Sequence, residues 1–168
     1  MKTLFKFTII VILNFCIICE YTIASDKIKI GLLIPLSGEY SEIGDSIIKS
    51  VRLAINKIDD DRIEIIPKDT KSNPIDALKS SKELHNNGVR IIIGPVFNES
   101  IKYLDELKDI TFLSFTNRIY KNPSNVISAG VNALSQINTI KKFNKNSKLE
   151  RSILLIPNTD YRKEIILA

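Results

Sequence analysis

Tryptophan is absent from these 168 residues, histidine and methionine occur once each, and cysteine occurs twice. Each scarcity removes a class of chemistry. One histidine, His85, cannot supply the paired His or Cys ligands of a metal centre. Both cysteines, Cys16 and Cys19, fall in an apolar N-terminal run, so the chain beyond it has no thiol nucleophile, disulfide or sulfur ligand. Their C-x-x-C spacing imitates a redox motif but lacks the strand-to-helix context such a motif needs. There is no G-x-S-x-G nucleophile elbow, no phosphate-loop lysine and no G-x-G-x-x-G fingerprint. Asp59, Asp60 and Asp61 form a carboxylate run, but in a turn ahead of a strand, which reads as solvated. His85 stands at a helix end, where a positive charge is favoured. No catalytic set, cofactor or metal is therefore expected, and the chain does not read as an enzyme. Lysine and arginine number 24 against 19 acidic residues, a net charge of +5. The cations are dispersed, without a basic run interleaved with aromatics, so a nucleic-acid surface is not expected; a mildly basic, solvated exterior is.

What is present begins with an export signal. Lys2 and Lys6 precede a nearly all-apolar run over 7–19, and Thr22 and Ala24 put small side chains at −3 and −1 of a cut before Ser25. This pattern predicts a signal peptide over 1–24. The apolar run falls short of the ~20 residues a spanning helix requires, which leaves an uncleaved N-terminal anchor as the alternative. Ile18 before Cys19 argues against lipid attachment, which wants a small residue there.

Beyond the leader, short apolar runs alternate with longer amphipathic ones. Strands are predicted over 28–35, 62–67, 89–93, 110–115, 125–128 and 152–156, the first closed by a proline and the third nearly all β-branched. Helices are predicted over 40–58, 73–84, 100–107, 135–143 and from Tyr161 onward. Asn73-Pro74 fits an N-cap followed by the first helical position, and Asn86-Asn87-Gly88 fits the stop. Continuous apolar strands separated by amphipathic helices imply an α/β, doubly wound parallel sheet covered on both faces.

In such a sheet ligands bind beyond the carboxyl ends of the strands. The loop 35–44 follows the first strand, carries Ser37, Gly38 and Gly44, and enters a long helix whose free N–H groups favour an anion. The loop 94–100 follows the third strand and offers Asn98 and Ser100. Thr116, Asn117 and Arg118 follow the fourth, and Tyr161 follows the strand expected at 152–156. Taken singly, each has a plainer explanation as a cap, a turn residue or a packed aromatic.

Taken in order, these loops resemble the type I periplasmic binding proteins of the branched-chain amino acid (leucine/isoleucine/valine) transport family. The resemblance rests on 28–44 with its Ser-Gly-x-x-x-x-x-Gly loop, on Lys68-Asp69-Thr70 with Asn73-Pro74, and on Gly88 through Val96. It also rests on Ala129-Gly130-Val131-Asn132 with Gln136, where the family's chain crosses to its second lobe, and on 157–161. It implies an N-terminal lobe over 25–128 and the start of a second, incomplete lobe over 129–168. It further implies a small, amino acid-like ligand held near Ser37, Asn98, Thr116, Asn117 and Tyr161, and delivery to an inner-membrane ABC transporter permease. The sequence departs from that pattern at Ile43, where an aromatic is common, at Arg162, where glycine is usual, and in stopping before the lobe that supplies the acidic partner for a ligand ammonium. The penicillin-binding protein activators, envelope scaffolds of the same superfamily, share the opening and Gly-Pro motifs and stand as the alternative. A truncated product unable to close a cleft is a third expectation, with 136–168 less protected from proteolysis than 28–115.

Overall fold

The β-branched run near the start does form a strand, β1 (Ile28–Ile34), and it lies at the heart of the sheet. The computed structural model describes residues 27–119 and 121–168. The expected signal peptide and both cysteines lie outside the described residues. After β1 come α1 (Ser41–Ile58), β2 (Ile63–Asp69), α2 (Pro74–Asn86) and β3 (Ile91–Ile93). Two 3₁₀ turns (Asn98–Ile101 and Leu104–Glu106) then lead to β4 (Thr111–Ser114), β5 (Val126–Ser128), α3 (Ala133–Asn146) and α4 (Arg162–Leu167). The strands are all parallel, in the order β2-β1-β3-β4-β5. The first crossover runs to one side of β1 and the second returns to the other, so the winding reverses between β1 and β3. This is the doubly wound arrangement the alternating pattern predicts.

Register decides which side chains meet. Gly31 pairs with Ile66 and Ile92, Ile92 with Phe112, and Phe112 with Val126, which puts Leu33, Ile66, Ile92, Phe112 and Val126 on one face. Against that face pack Ala77 and Leu84 of α2 and Ile101 and Leu104 of the 3₁₀ turns, forming one buried cluster. The opposite face is covered unevenly. Leu32 and Ile34 are buried there, whereas Ile28, Ile91 and Ile127 remain 43%, 44% and 53% exposed. α1 meets the loop after β1 at Gly44, where a Cβ would overlap the Pro35 carbonyl oxygen.

Local chemistry explains the element ends. Asn73 Oδ1 accepts from the N–H groups of Ile75 at 2.8 Å and Asp76 at 3.4 Å, the cap expected ahead of Pro74. Asp60 takes the Arg62 guanidinium in a bidentate pair that holds its carboxyl at about 2, and Asp59 and Asp61 are exposed, so the acidic run is a solvated turn.

Two expected elements differ. The helix over 100–107 is instead the pair of 3₁₀ turns, closed by Lys102 N–H to Glu99 O and Leu107 N–H to Leu104 O. Eight residues are few for an α-helix, and three residues per turn brings Ile101 and Leu104 onto the same side, into the core. The strand over 152–156 does not form. Ile153 and Leu155 stand 92% and 90% exposed with no ladder partner among the described residues. β-propensity and apolar character cannot make a strand without a neighbouring edge to complete its hydrogen bonds.

One carboxylate ties the carboxyl ends of β1 and β2 together. Asp69 Oδ1 accepts from Leu36 N–H at 2.8 Å and Lys71 N–H at 2.9 Å, and Oδ2 accepts from the Ser37 hydroxyl at 2.6 Å. Burial by itself pushes the Asp69 carboxyl upward; the Ser37 hydroxyl and the N–H groups of Lys71, Leu36 and Ser37 outweigh it and hold the group below its ordinary value.

Two measurements test this framework. Phe112→Ala, at a fully buried site, is expected to cost about 3–5 kcal/mol in denaturant unfolding, against about 0.5 kcal/mol or less for Leu53→Ala at a position 71% exposed. A depressed carboxyl stabilises the fold above its unfolded value and loses that contribution as pH falls through its folded value. Unfolding free energy should therefore decline on acidification below pH ~4, and Asp69→Asn should lower stability at neutral pH while flattening that decline.

Candidate functional site

Parallel pairing aligns the carboxyl ends of all five strands, so the loops leaving them share one rim. Ser37 leaves β1, Ser72 leaves β2, Asn98 leaves β3, Thr116 and Asn117 leave β4, and Gly130 follows β5. Two rings meet where the winding reverses. Tyr40, from the loop after β1, and Phe97, from the loop after β3, lie 4.8 Å apart between centroids and tilted by 57°. Such a contact holds the two loops together across the crevice that open α/β sheets use for ligands.

The loop after β3 is shaped by Gly94, whose φ of 108° brings the backbone so near Leu33 that a Cβ would overlap its carbonyl oxygen. Pro95 O then accepts from the Ser114 hydroxyl at 2.8 Å and from Phe115 N–H at 3.0 Å, which binds this loop to the end of β4. The loop after β4 is likewise tied down. Thr116 Oγ1 accepts from Arg118 N–H at 3.2 Å, and Thr116 O accepts from Gly130 N–H and from the Ser128 hydroxyl.

Between this rim and α4 lies a cleft of about 1070 Å³. Ser72, Asn98, Ile101, Arg118, Asn122 and Glu164 are among the residues that line it. Of the expected ligand residues Ser37, Asn98, Thr116, Asn117 and Tyr161, Asn98 alone is in its wall. Ser37 is exposed on the same rim, with its hydroxyl engaged by Asp69. Thr116 is 3% exposed and engaged in loop hydrogen bonds. Asn117 is exposed beside Arg118. Tyr161 stands at the head of α4, its hydroxyl enclosed and without a hydrogen-bond partner among the described residues.

Other polar residues of the wall lie outside the expected ligand set, Ser72, Arg118 and Glu164 among them. Ser72 follows the Asp69 loop, and its hydroxyl is enclosed and unpartnered among the described residues. Arg118 had a signal in its place directly after Thr116 and Asn117. Glu164 had none, since a glutamate in the first turn of a helix ordinarily faces water and favours the helix dipole. Here it is 6% exposed and, among the described residues, accepts only from Ile119 N–H, at 3.4 Å. Among the described residues no three His, Cys, Asp or Glu side chains gather in a way that could hold a metal ion, and no helix is long and apolar enough to cross a membrane.

The cleft and rim belong to a fold with known relatives. Residues 27–164 match the family model described as periplasmic binding protein. No curated protein sequence matches the chain. Among solved structures, the C-domain of LpoA from Haemophilus influenzae, a regulator of PBP1A, superposes with a TM-score of 0.67 at 17% identity, over 82% of this chain and 43% of that one. A solute-binding protein of an ABC transporter from Rhodopseudomonas palustris, in complex with 3,4-dihydroxybenzoic acid, gives 0.60 at 20% identity, over 84% and 42%. LivJ, the branched-chain amino acid transporter substrate-binding protein from Streptococcus pneumoniae, in complex with isoleucine, gives 0.54 at 20% identity, over 64% and 34%. The chain thus spans less than half the length of each of these structures. With the family model spanning nearly all the described residues, the chain belongs to the periplasmic binding protein family.

Proposed function

We propose that this chain acts outside the cytoplasm as a receptor for an amino acid or a similar small polar solute, feeding an ABC transporter permease in the inner membrane. The observation that carries the reading is the cleft at the carboxyl rim, with walls drawn from the loops after β2, β3 and β4. Its inner wall mixes hydroxyl, amide and charged groups with the buried Ile101, the composition that orients a small polar molecule while removing it from water. The similarity to two solute-binding proteins of transporters supports the same reading. In this proposal the leader over 1–24 directs export, 25–128 forms the first lobe and 129–168 begins the facing one. Ser37, Asn98, Thr116, Asn117 and Tyr161 lie at or near the contact zone, and capture proceeds by hinge closure around the solute. The role is binding, without a catalytic step.

The similarity to LpoA, at the higher TM-score, favours a second reading: an envelope scaffold that works through protein contacts and holds no small ligand. Isothermal titration of the chain against the twenty standard amino acids separates the two. Saturable heat with at least one of them is expected from a receptor; silence across the whole panel, together with retention of a cell-wall synthase on the immobilised chain, would establish the scaffold instead.

A further inference from the structure

No carboxylate occurs over 110–149, a stretch that ends in Lys141, Lys142, Lys145 and Lys148. Arg151, Arg162 and Lys163 follow, against Glu150, Asp160 and Glu164, so residues 133–168 carry a net charge of +4. Residues 25–132 have fifteen acidic and fifteen basic side chains and are neutral. The positive charge is thus gathered in α3, α4 and the segment between them. These cations are exposed, and the ion pairs among the described residues use others: Arg62, Lys68, Lys71 and Lys82. The same elements leave apolar side chains in water. Of α3 only Ala133 is buried; Phe143 is 63% exposed, and Ile140, Ile166 and Leu167 are exposed as well. Spacing by three places Ile137, Ile140 and Phe143 along one flank of α3, with Lys141, Lys142 and Lys145 on the opposite flank. α4 packs beside α3, and Lys141 Nζ donates to the Ala168 carbonyl at 3.5 Å, so the two helices share one surface. Exposed apolar groups beside uncompensated charge of one sign mark a surface made for a partner.

We propose that this surface docks on an anionic lipid membrane, with α3 lying in the headgroup layer. Charge complementarity carries the assignment: the one strongly positive part of an otherwise neutral chain meets negative phosphates, and Phe143 and Ile140 enter the apolar layer beneath. A helix with lysines on one flank and Phe and Ile on the other has the pattern of an interfacial helix. At 14 residues α3 lies on a bilayer and does not span it. A nucleic acid is a poorer fit, because single strands are held by stacking on several aromatic rings, and Phe143 is the only exposed aromatic over 133–168. The proposal goes beyond the receptor reading and does not depend on what the cleft holds. A receptor that serves a membrane permease and a scaffold that serves a cell-wall synthase would both be kept near their partner by it.

The absence of tryptophan supplies the test. Phe143→Trp in the full chain puts a single fluorescent reporter on the docking surface. Its emission is followed on titration with vesicles of phosphatidylglycerol and phosphatidylcholine in equal parts, and with phosphatidylcholine alone. The emission should move to shorter wavelength with the mixed vesicles, stay in place with phosphatidylcholine, and return as added salt screens the charges. Adding Lys141→Gln, Lys142→Gln and Lys145→Gln should raise the lipid concentration at half-shift about 100-fold, at about 5-fold per lysine. Removing the same charge at Lys49, Lys57 and Lys79, exposed on α1 and α2, should leave that concentration unchanged. No shift with the mixed vesicles would overturn the docking. So would an equal shift with phosphatidylcholine, or an equal loss in the second lysine variant. A shift that grows with protein concentration in the absence of lipid would overturn it as well, and would assign the surface to a second copy of the chain. Each of these outcomes leaves the receptor reading to its own titration.

Discussion

Everything functional in this molecule depends on β1 pairing in parallel with β2 on one side and β3 on the other. Parallel neighbours cannot be joined by a tight hairpin, so each connection must cross back over a face of the sheet. The strands then end together, and the loops that follow them converge on one rim. β1 is also the strand from which the winding departs in both directions, and this opens a crevice between its loop and that of β3. The Tyr40–Phe97 contact spans that crevice, and the Asp69 hydrogen bonds brace the neighbouring one.

The hydrophobic effect supports this frame asymmetrically. The β2–β3 crossover and the 3₁₀ turns before β4 both pack on one face, where Leu33, Ile92, Phe112 and Val126 meet Leu84, Ile101 and Leu104. On the other face Leu32 and Ile34 are buried, while the amino end of β1 and the outer strands stay half open. The face with the continuous core is also the side from which the cleft-lining 3₁₀ turns rise, so Asn98 and Ile101 are held by the most completely packed part of the molecule.

Two carboxylates join segments that are far apart in the chain. Asp69 gathers donors from the Ser37 hydroxyl and from backbone N–H groups, and those bonds hold the carboxyl below its ordinary value despite burial. It is satisfied, and its work is to fix a loop. Glu164 is less exposed and, among the described residues, accepts one hydrogen bond, from Ile119 N–H, which ties α4 to the loop after β4. Ser37 and Thr116 follow the same logic as Asp69: polar groups at the tips of strands, already engaged by the fold.

The sequence by itself determined the strands wherever β-branched residues run together, the cap and start at Asn73-Pro74, the order of the elements and hence the rim on which the polar loops gather. These are properties of neighbouring residues, and local physics suffices to read them. Tertiary structure decided whatever depends on partners far along the chain. The apolar stretch at 152–156 stays out of the sheet because a strand is a relation between two segments, and the second is not beside it. Ser37 is engaged because register puts Asp69, 32 residues later, within 2.6 Å. Glu164 lies in the cleft wall because α4 packs beside the loop after β4, bringing it to Ile119, 45 residues earlier. No spacing within the chain encodes either meeting; three-dimensional packing brings those groups together and determines which polar atoms remain available to a ligand.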